Sequence, residues 1–96
     1  MKYSYIIPCR LSTSDRRDNL KFHLRWILDI CKIPIDELII TEHEQNSKVE
    51  RLKKQYNFKH IHLSNNQPFE KCKLWNMAVE SASNEKIIMC DLDTII

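Results

Sequence analysis

Lys86-Ile87-Ile88-Met89-Cys90-Asp91-Leu92-Asp93 sets an unbroken apolar run directly before two carboxylates spaced by one residue. A short apolar run without helical periodicity reads as a buried strand, with the aspartates at its exit. Immediately upstream, residues 69–83 place Leu74, Trp75, Ala78 and Ala82 on one face of a helix. Residues 64–68 (SNNQP) form a loop before it, and residues 58–63 alternate Phe58, His60 and His62 against Lys59, Ile61 and Leu63. That alternation fits a strand near a sheet edge. Residues 47–56 make a short charged helix whose apolar positions are Val49, Leu52 and Tyr56. Residues 37–41 (ELIIT) read as a further buried strand, closing on Glu42, His43 and Glu44. A longer helix carries Leu20, Leu24, Ile27, Leu28 and Cys31 on one 3.6-residue stripe. Ser12 or Ser14 can cap it, Asp15 and Asp18 suit its first turn, and Pro34 ends it. Residues 3–8 (YSYIIP) give the first strand, stopped by proline.

The resulting β-α-β-α-β-α-β order predicts an α/β fold, a Rossmann-like, mostly parallel sheet with flanking helices. The chain of 96 residues is expected to be a single domain. In open sheets of this kind ligands bind outside the carboxyl ends of the strands. The rim residues are then Cys9 and Arg10, Glu42 to Glu44, Ser64 to Asn66, and Asp91 to Asp93.

Composition removes several alternatives. The chain contains no glycine. Phosphate-cradling loops, the dinucleotide-binding turn and the nucleophile elbow all need glycine, where backbone approaches a ligand or takes positive φ. Any nucleotide site must therefore use side chains, a helix N-terminus or a metal. A net charge of +2 argues against DNA or RNA as a partner. The basic clusters Arg16/Arg17 and 51–54 read as solvated faces. Cysteines at 9, 31, 72 and 90 form no C-x-x-C pair, which argues against structural zinc and for reduced thiols. Apolar runs of four to five residues predict no transmembrane segment, and a cytoplasmic setting is the default.

Asp91 and Asp93 can converge on a divalent cation, which prefers oxygen ligands and commonly holds a diphosphate. Two aspartates at a strand exit can equally cap a turn or the next helix. Here Arg10 and Glu42 are expected on the same rim.

The stretches Phe69-Glu70-Lys71-Cys72-Lys73-Leu74-Trp75-Asn76-Met77-Ala78 and Lys86 through Asp93 resemble the nucleotide-sugar half of a GT-A glycosyltransferase. The resemblance is to family 2 enzymes and to the galactosyltransferase and chondroitin-polymerase type, whose pattern is a Phe-Asn-Arg/Lys-x-Lys-x-x-Asn-x-Gly helix followed by a strand ending in Asp-x-Asp. Ile6-Ile7-Pro8-Cys9-Arg10, with Arg17 and Asn19-Leu20, is similar to the family's first strand and helix, and Ile39-Ile40-Thr41-Glu42 to its second strand. Glu70 and Ala78 depart from the pattern, standing where a neutral polar residue and a glycine are usual.

The resemblance implies transfer of a sugar from a nucleotide-sugar, a UDP-sugar first among them, to an acceptor hydroxyl on a glycan or another molecule. Pro8 and Arg10 would flank the nucleotide, and Glu42 would sit by its base or ribose. Lys71 or Lys73, with Asn76, would face the donor from the helix. Asp91 would reach ribose or sugar, or share the metal, and Asp93 would ligate Mn²⁺ or Mg²⁺. The family's acceptor site and catalytic base lie in a second half, so residues 1–96 are expected to be the donor-binding part, incomplete relative to a full enzyme and inactive alone. A fragment, a degenerate relative and a chain completed by a second polypeptide all satisfy that expectation.

Other readings remain open at this level. A non-catalytic α/β fragment or interaction module fits the same pattern. Cys90-Asp91-Leu92-Asp93-Thr94 also resembles the Asp-x-Asp-x-Thr opening of haloacid-dehalogenase-like phosphatases, though the threonine would fall at Ile95 and that motif normally opens its domain. His60 and His62 share a strand face without a third ligand nearby, and Cys9 and Cys90 border the rim as buried thiols.

Overall fold

The alternation of apolar strands with amphipathic segments produces the expected sheet. The computed structural model describes residues 3–30, 35–65 and 67–92. Among these, β1 (Tyr3–Cys9), β2 (Ile35–His43), β3 (Lys59–Leu63) and β4 (Lys86–Met89) form one four-stranded sheet in the order β3-β2-β1-β4. Every pairing is parallel. Helix α1 (Ser14–Arg25) follows β1 and continues as a π-helical turn (Trp26–Ile30). A 3-10 helix (Glu50–Lys54) lies between β2 and β3, and α2 (Lys71–Ser81) between β3 and β4.

Side chains of a strand alternate between the two faces of its sheet, and the core divides accordingly. Tyr5, Ile7 and Cys9 of β1, with Leu38 and Ile40 of β2, meet Leu20, Leu24 and Ile27 in one buried cluster. Ile6 and Ile39 turn the other way, against Ala78 of α2 and the half-buried Trp75. Deleting a side chain such as Leu24 from the larger cluster would cost about 2–5 kcal/mol.

Several expectations need correction. Proline does not stop β1, which runs on to Cys9. β4 ends opposite Ile6, so at Pro8 the strand has a neighbour on one side only, and a missing amide hydrogen is tolerated as at an edge. The cap of α1 is neither Ser12 nor Ser14 but Thr13, whose Oγ1 accepts from the Arg16 amide at 3.2 Å. Cys31 and Pro34, assigned to the end of that helix, lie outside the described residues. β2 continues through Glu42 and His43, which are buried strand residues rather than loop residues. The helix expected over 47–56 shrinks to the 3-10 turn, and the Lys48 and Val49 amides just before it donate to Glu42. β3 is an edge strand as its alternation suggests. β4, expected to be buried, is the opposite edge, with Met89 49% exposed.

Candidate functional site

Parallel strands bring their carboxyl ends to one side of the sheet, and an open cavity of about 360 Å³ lies there, at the exits of β1 and β4. Pro8, Cys9 and Arg10 line it from the first exit, Asp91 and Leu92 from the last. Arg16 of α1 and Phe69 and Lys71 at the start of α2 close the sides. Pro8, Arg10, Lys71 and Asp91, four of the residues named from the sequence, therefore line one cavity.

Lys71 Nζ approaches Asp91 Oδ1 at 3.0 Å and lies 5.3 Å from the Trp75 ring centroid. Both members of the ion pair are about half exposed, so the contact orients the two groups and adds little stability. Arg10 is more constrained than expected. Its Nε donates to the His43 carbonyl and its Nη2 to the Gln67 carbonyl, each at 2.6 Å, while the guanidinium carbon stands 6.0 Å from the Phe69 ring centroid. The planar fork thus braces the β1 exit against the β2 end and the following loop.

A buried histidine supports this arrangement. The Glu70 amide donates to His43 Nδ1 at 3.2 Å, so the ring hydrogen sits on Nε2 and is donated to Asn65 Oδ1 at 2.6 Å. The side chain of Asn65 also accepts the Gln67 amide. One imidazole thereby fixes both the loop after β3 and the first turn of α2. On the other side, His23 Nδ1 donates to the Leu92 carbonyl at 2.8 Å, and Tyr5 Oη meets His23 Nε2 at 2.7 Å. His23 pins the backbone at the β4 exit from within the core. Only an apolar-stripe exception, a histidine one position before Leu24, marks it in the sequence.

Other assigned residues lie elsewhere. Glu42 is fully buried, and its carboxylate accepts from Ser47 Oγ, His60 Nε2 and the Lys48 and Val49 amides. Its acceptor capacity is spent inside the fold, away from the cavity. Lys73 is exposed and 3.9 Å from Glu70, and Asn76 is exposed on α2; neither lines the cavity. Asp93 and Asn66 lie outside the described residues. Arg16 and Phe69 line the cavity without having been assigned to it, because helix-start positions carry no distinctive periodicity, whereas Cys9 and Leu92 stand at the strand exits where the rim was expected.

Burial pushes the Cys9 thiol well above its usual range, and the Glu42 carboxylate adds in the same direction. A neutral thiol is a poor nucleophile. Cys9, Cys72 and Cys90 are all free. His60 and His62 stack at 5.8 Å, but their Nε2 atoms donate to Glu42 Oε1 and the Glu44 carbonyl. Among the described residues no group of three metal-ligating side chains occurs. A cation at the cavity would therefore draw on Asp91, whose Oδ1 faces Lys71, together with donors beyond those residues.

The four-stranded parallel sheet, its flanking helices and the cavity at its carboxyl rim make an α/β, Rossmann-like fold. Structurally similar chains include crystal structures of TarS from S. aureus, a glycosyltransferase, so the fold is glycosyltransferase-like. The structure of TarS 1-349 superposes with a TM-score of 0.69 at 24% identity, over 100% of this chain and 28% of that one. A second TarS structure gives 0.60 at 24% identity, over 97% of this chain and 17% of that one. No protein-family model and no curated protein matches the chain. Among the described residues no helix is long and apolar enough to cross a membrane.

Proposed function

We propose that this chain is the donor-binding part of a glycosyltransferase and holds the diphosphate of a nucleotide-sugar at the cavity between the β1 and β4 exits. The observation that carries the reading is the gathering of Arg10, Arg16 and Lys71 around Asp91 at the carboxyl rim. Three cations suit a diphosphate, and one carboxylate suits a bridging divalent ion. Helix α2 supports it, since its N-cap Glu70 makes no side-chain cap bond and Phe69 and Lys71, on either side, line the cavity. The first amides of such a helix favour an anion.

In this reading Lys71 counters diphosphate charge, Phe69 and Pro8 offer apolar surface beside the nucleotide, and Arg10 holds the rim open while Nη1 stays available for an oxygen. Mn²⁺ or Mg²⁺, bound through Asp91 and Asp93, would polarise the departing diphosphate. The family 2, galactosyltransferase and chondroitin-polymerase likeness of the 69–78 and 86–93 stretches belongs to the same proposal, as does a cytoplasmic setting. Residues 1–96 act as one nucleotide-sugar-binding domain, with acceptor hydroxyl and catalytic base supplied by another part of the enzyme.

Thermal unfolding with UDP-, GDP- and CMP-sugars and Mn²⁺ tests the reading. A ligand at ten times its Kd adds about 1.4 kcal/mol, which in a domain of this size raises Tm by about 6 to 11 °C. One of the sugars should do so only with the metal present. No shift with any of them refutes donor binding, and clear hydrolysis of UDP-sugar by the isolated chain refutes its expected inactivity.

A further inference from the structure

The two basic clusters that read as solvated faces in sequence meet across one cleft. Arg17 and Lys21, four residues apart, project from the same face of α1. Lys48 and Arg51 face them from the connection after β2, and Leu11 and Leu52 form an apolar floor, enclosing about 260 Å³. Among the described residues no carboxylate lines the cleft. Lys48 reaches Glu44 at 3.6 Å, whereas Arg17, Lys21 and Arg51 make no ion pair or side-chain hydrogen bond with described residues.

Four like charges held around one concavity repel one another, and the fold gives three of them no internal counter-charge. We propose that this cleft is a second anion site, taking a phosphoryl group, separate from the cavity at the β1 and β4 exits. Its volume falls below the ~300 Å³ from which pockets accommodate drug-sized ligands, so it suits a phosphate or a small phosphate ester rather than a whole nucleotide. Two guanidinium forks match phosphate oxygens bidentately, and the lysines add point charge. The inference does not depend on the donor-site reading, because no residue is shared between the two linings.

The test is titration of the whole chain with inorganic pyrophosphate in EDTA, followed by backbone amide resonances, with glucose 1-phosphate in a parallel arm. The amides of Leu11, Arg17, Lys48 and Arg51 should shift saturably, and added salt should weaken the effect. Tighter binding of pyrophosphate identifies a free anion as the natural ligand, and tighter binding of the sugar phosphate identifies an ester. Arg17→Glu with Arg51→Glu should weaken binding by about ten-fold or more, Lys21→Ala by about three-fold, and Lys71→Ala by less than about two-fold. Absence of saturable shifts at the cleft overturns the proposal, as does binding that survives the charge reversals but is lost in Lys71→Ala. Either result leaves metal-dependent binding at Asp91 to stand or fall on its own measurement.

Discussion

The two ends of the sheet are both polar, yet they are built differently. At the amino ends, Glu37 of β2 accepts from Ser4 Oγ, the Ser83 amide and Ser83 Oγ, with Lys59 Nζ at 3.8 Å. Asn84 Nδ2 adds bonds to Ser4 Oγ and Asp36. This cluster ties β1, β2 and the turn before β4 together and leaves its central carboxylate occupied. At the carboxyl ends Asp91 has, among the described residues, a single partner, the half-exposed Lys71, and faces a cavity. A saturated carboxylate stabilises; an under-used one beside cations can take a ligand. The parallel topology decides which end is which, since the order β3-β2-β1-β4 reverses at β1 and β4, and a crevice opens outside the carboxyl ends of the strands there.

Glu42 cuts across that division and provides its strongest test. It belongs to the carboxyl half of β2 but is saturated like Glu37. Glu42→Ala would leave the Lys48 and Val49 amides and His60 without their acceptor, in partly to fully buried surroundings. A loss of about 3 kcal/mol or more is expected in urea unfolding. A variant that unfolds like the parent would show that Glu42 is free to serve a ligand after all. Asp91→Asn should do the reverse. It should keep stability within about 0.5 kcal/mol, because the Lys71 pair is exposed, while removing the ~1.4 kcal/mol of metal-dependent stabilisation expected from a donor at ten times Kd. Retention of that stabilisation would place the metal elsewhere.

Glu42 and Arg10 also show what the sequence could and could not convey. The apolar runs at Ile6-Ile7, Leu38 to Ile40 and Ile87-Ile88, separated by the α1 stripe and the Leu74/Ala78 pair, were sufficient to predict a parallel sheet and the end at which to look. Register and depth were not. Strand β2 extends two residues beyond Thr41, where the sequence pattern ends it, which carries Glu42 from the rim into the interior, and four internal donors make its burial tolerable. Arg10 is at its expected place, but its partners are backbone carbonyls, which leave no trace in residue identity. Asn76 and Lys73 are exposed on α2 because that helix buries Leu74 and Ala78, and the positions beside this stripe turn toward solvent. The pairing of Arg17 and Lys21 with Lys48 and Arg51 needed the tertiary structure, since some thirty residues separate them.

A smaller effect sharpens the amino-end half of the comparison. The Ser83 amide bond, with help from Ser4, Ser83 and Lys59, holds the Glu37 carboxyl below its usual pKa against the opposing pull of burial. A carboxylate whose folded pKa is depressed contributes fully above its unfolded value of about 4.3 and loses that contribution as pH falls through the lower folded value. Glu37→Gln should therefore cost about 1 kcal/mol at neutral pH, with the difference shrinking as pH falls below about 4.3 and gone only once pH is below the lower folded value. Parallel stability–pH curves would mean that another carboxylate dominates the acid limb.

The smallest perturbation concerns the thiols, where accessibility and not stability is read. Cys72 is exposed on α2, whereas Cys9 and Cys90 are buried at the β1 and β4 exits. Iodoacetamide needs a thiolate, and burial beside Glu42 disfavours that form at Cys9. The native chain should be modified at Cys72 while Cys9 and Cys90 stay protected until denaturant is added, with stability changed by less than about 0.5 kcal/mol. Cys9 matters here because it touches the cavity that Asp91 faces. Native labelling at Cys9 would reveal an activated nucleophile at the carboxyl rim, and covalent chemistry would then compete with simple donor binding; protection leaves non-covalent binding by the carboxylate, the cations, the helix start and the apolar Pro8 and Phe69.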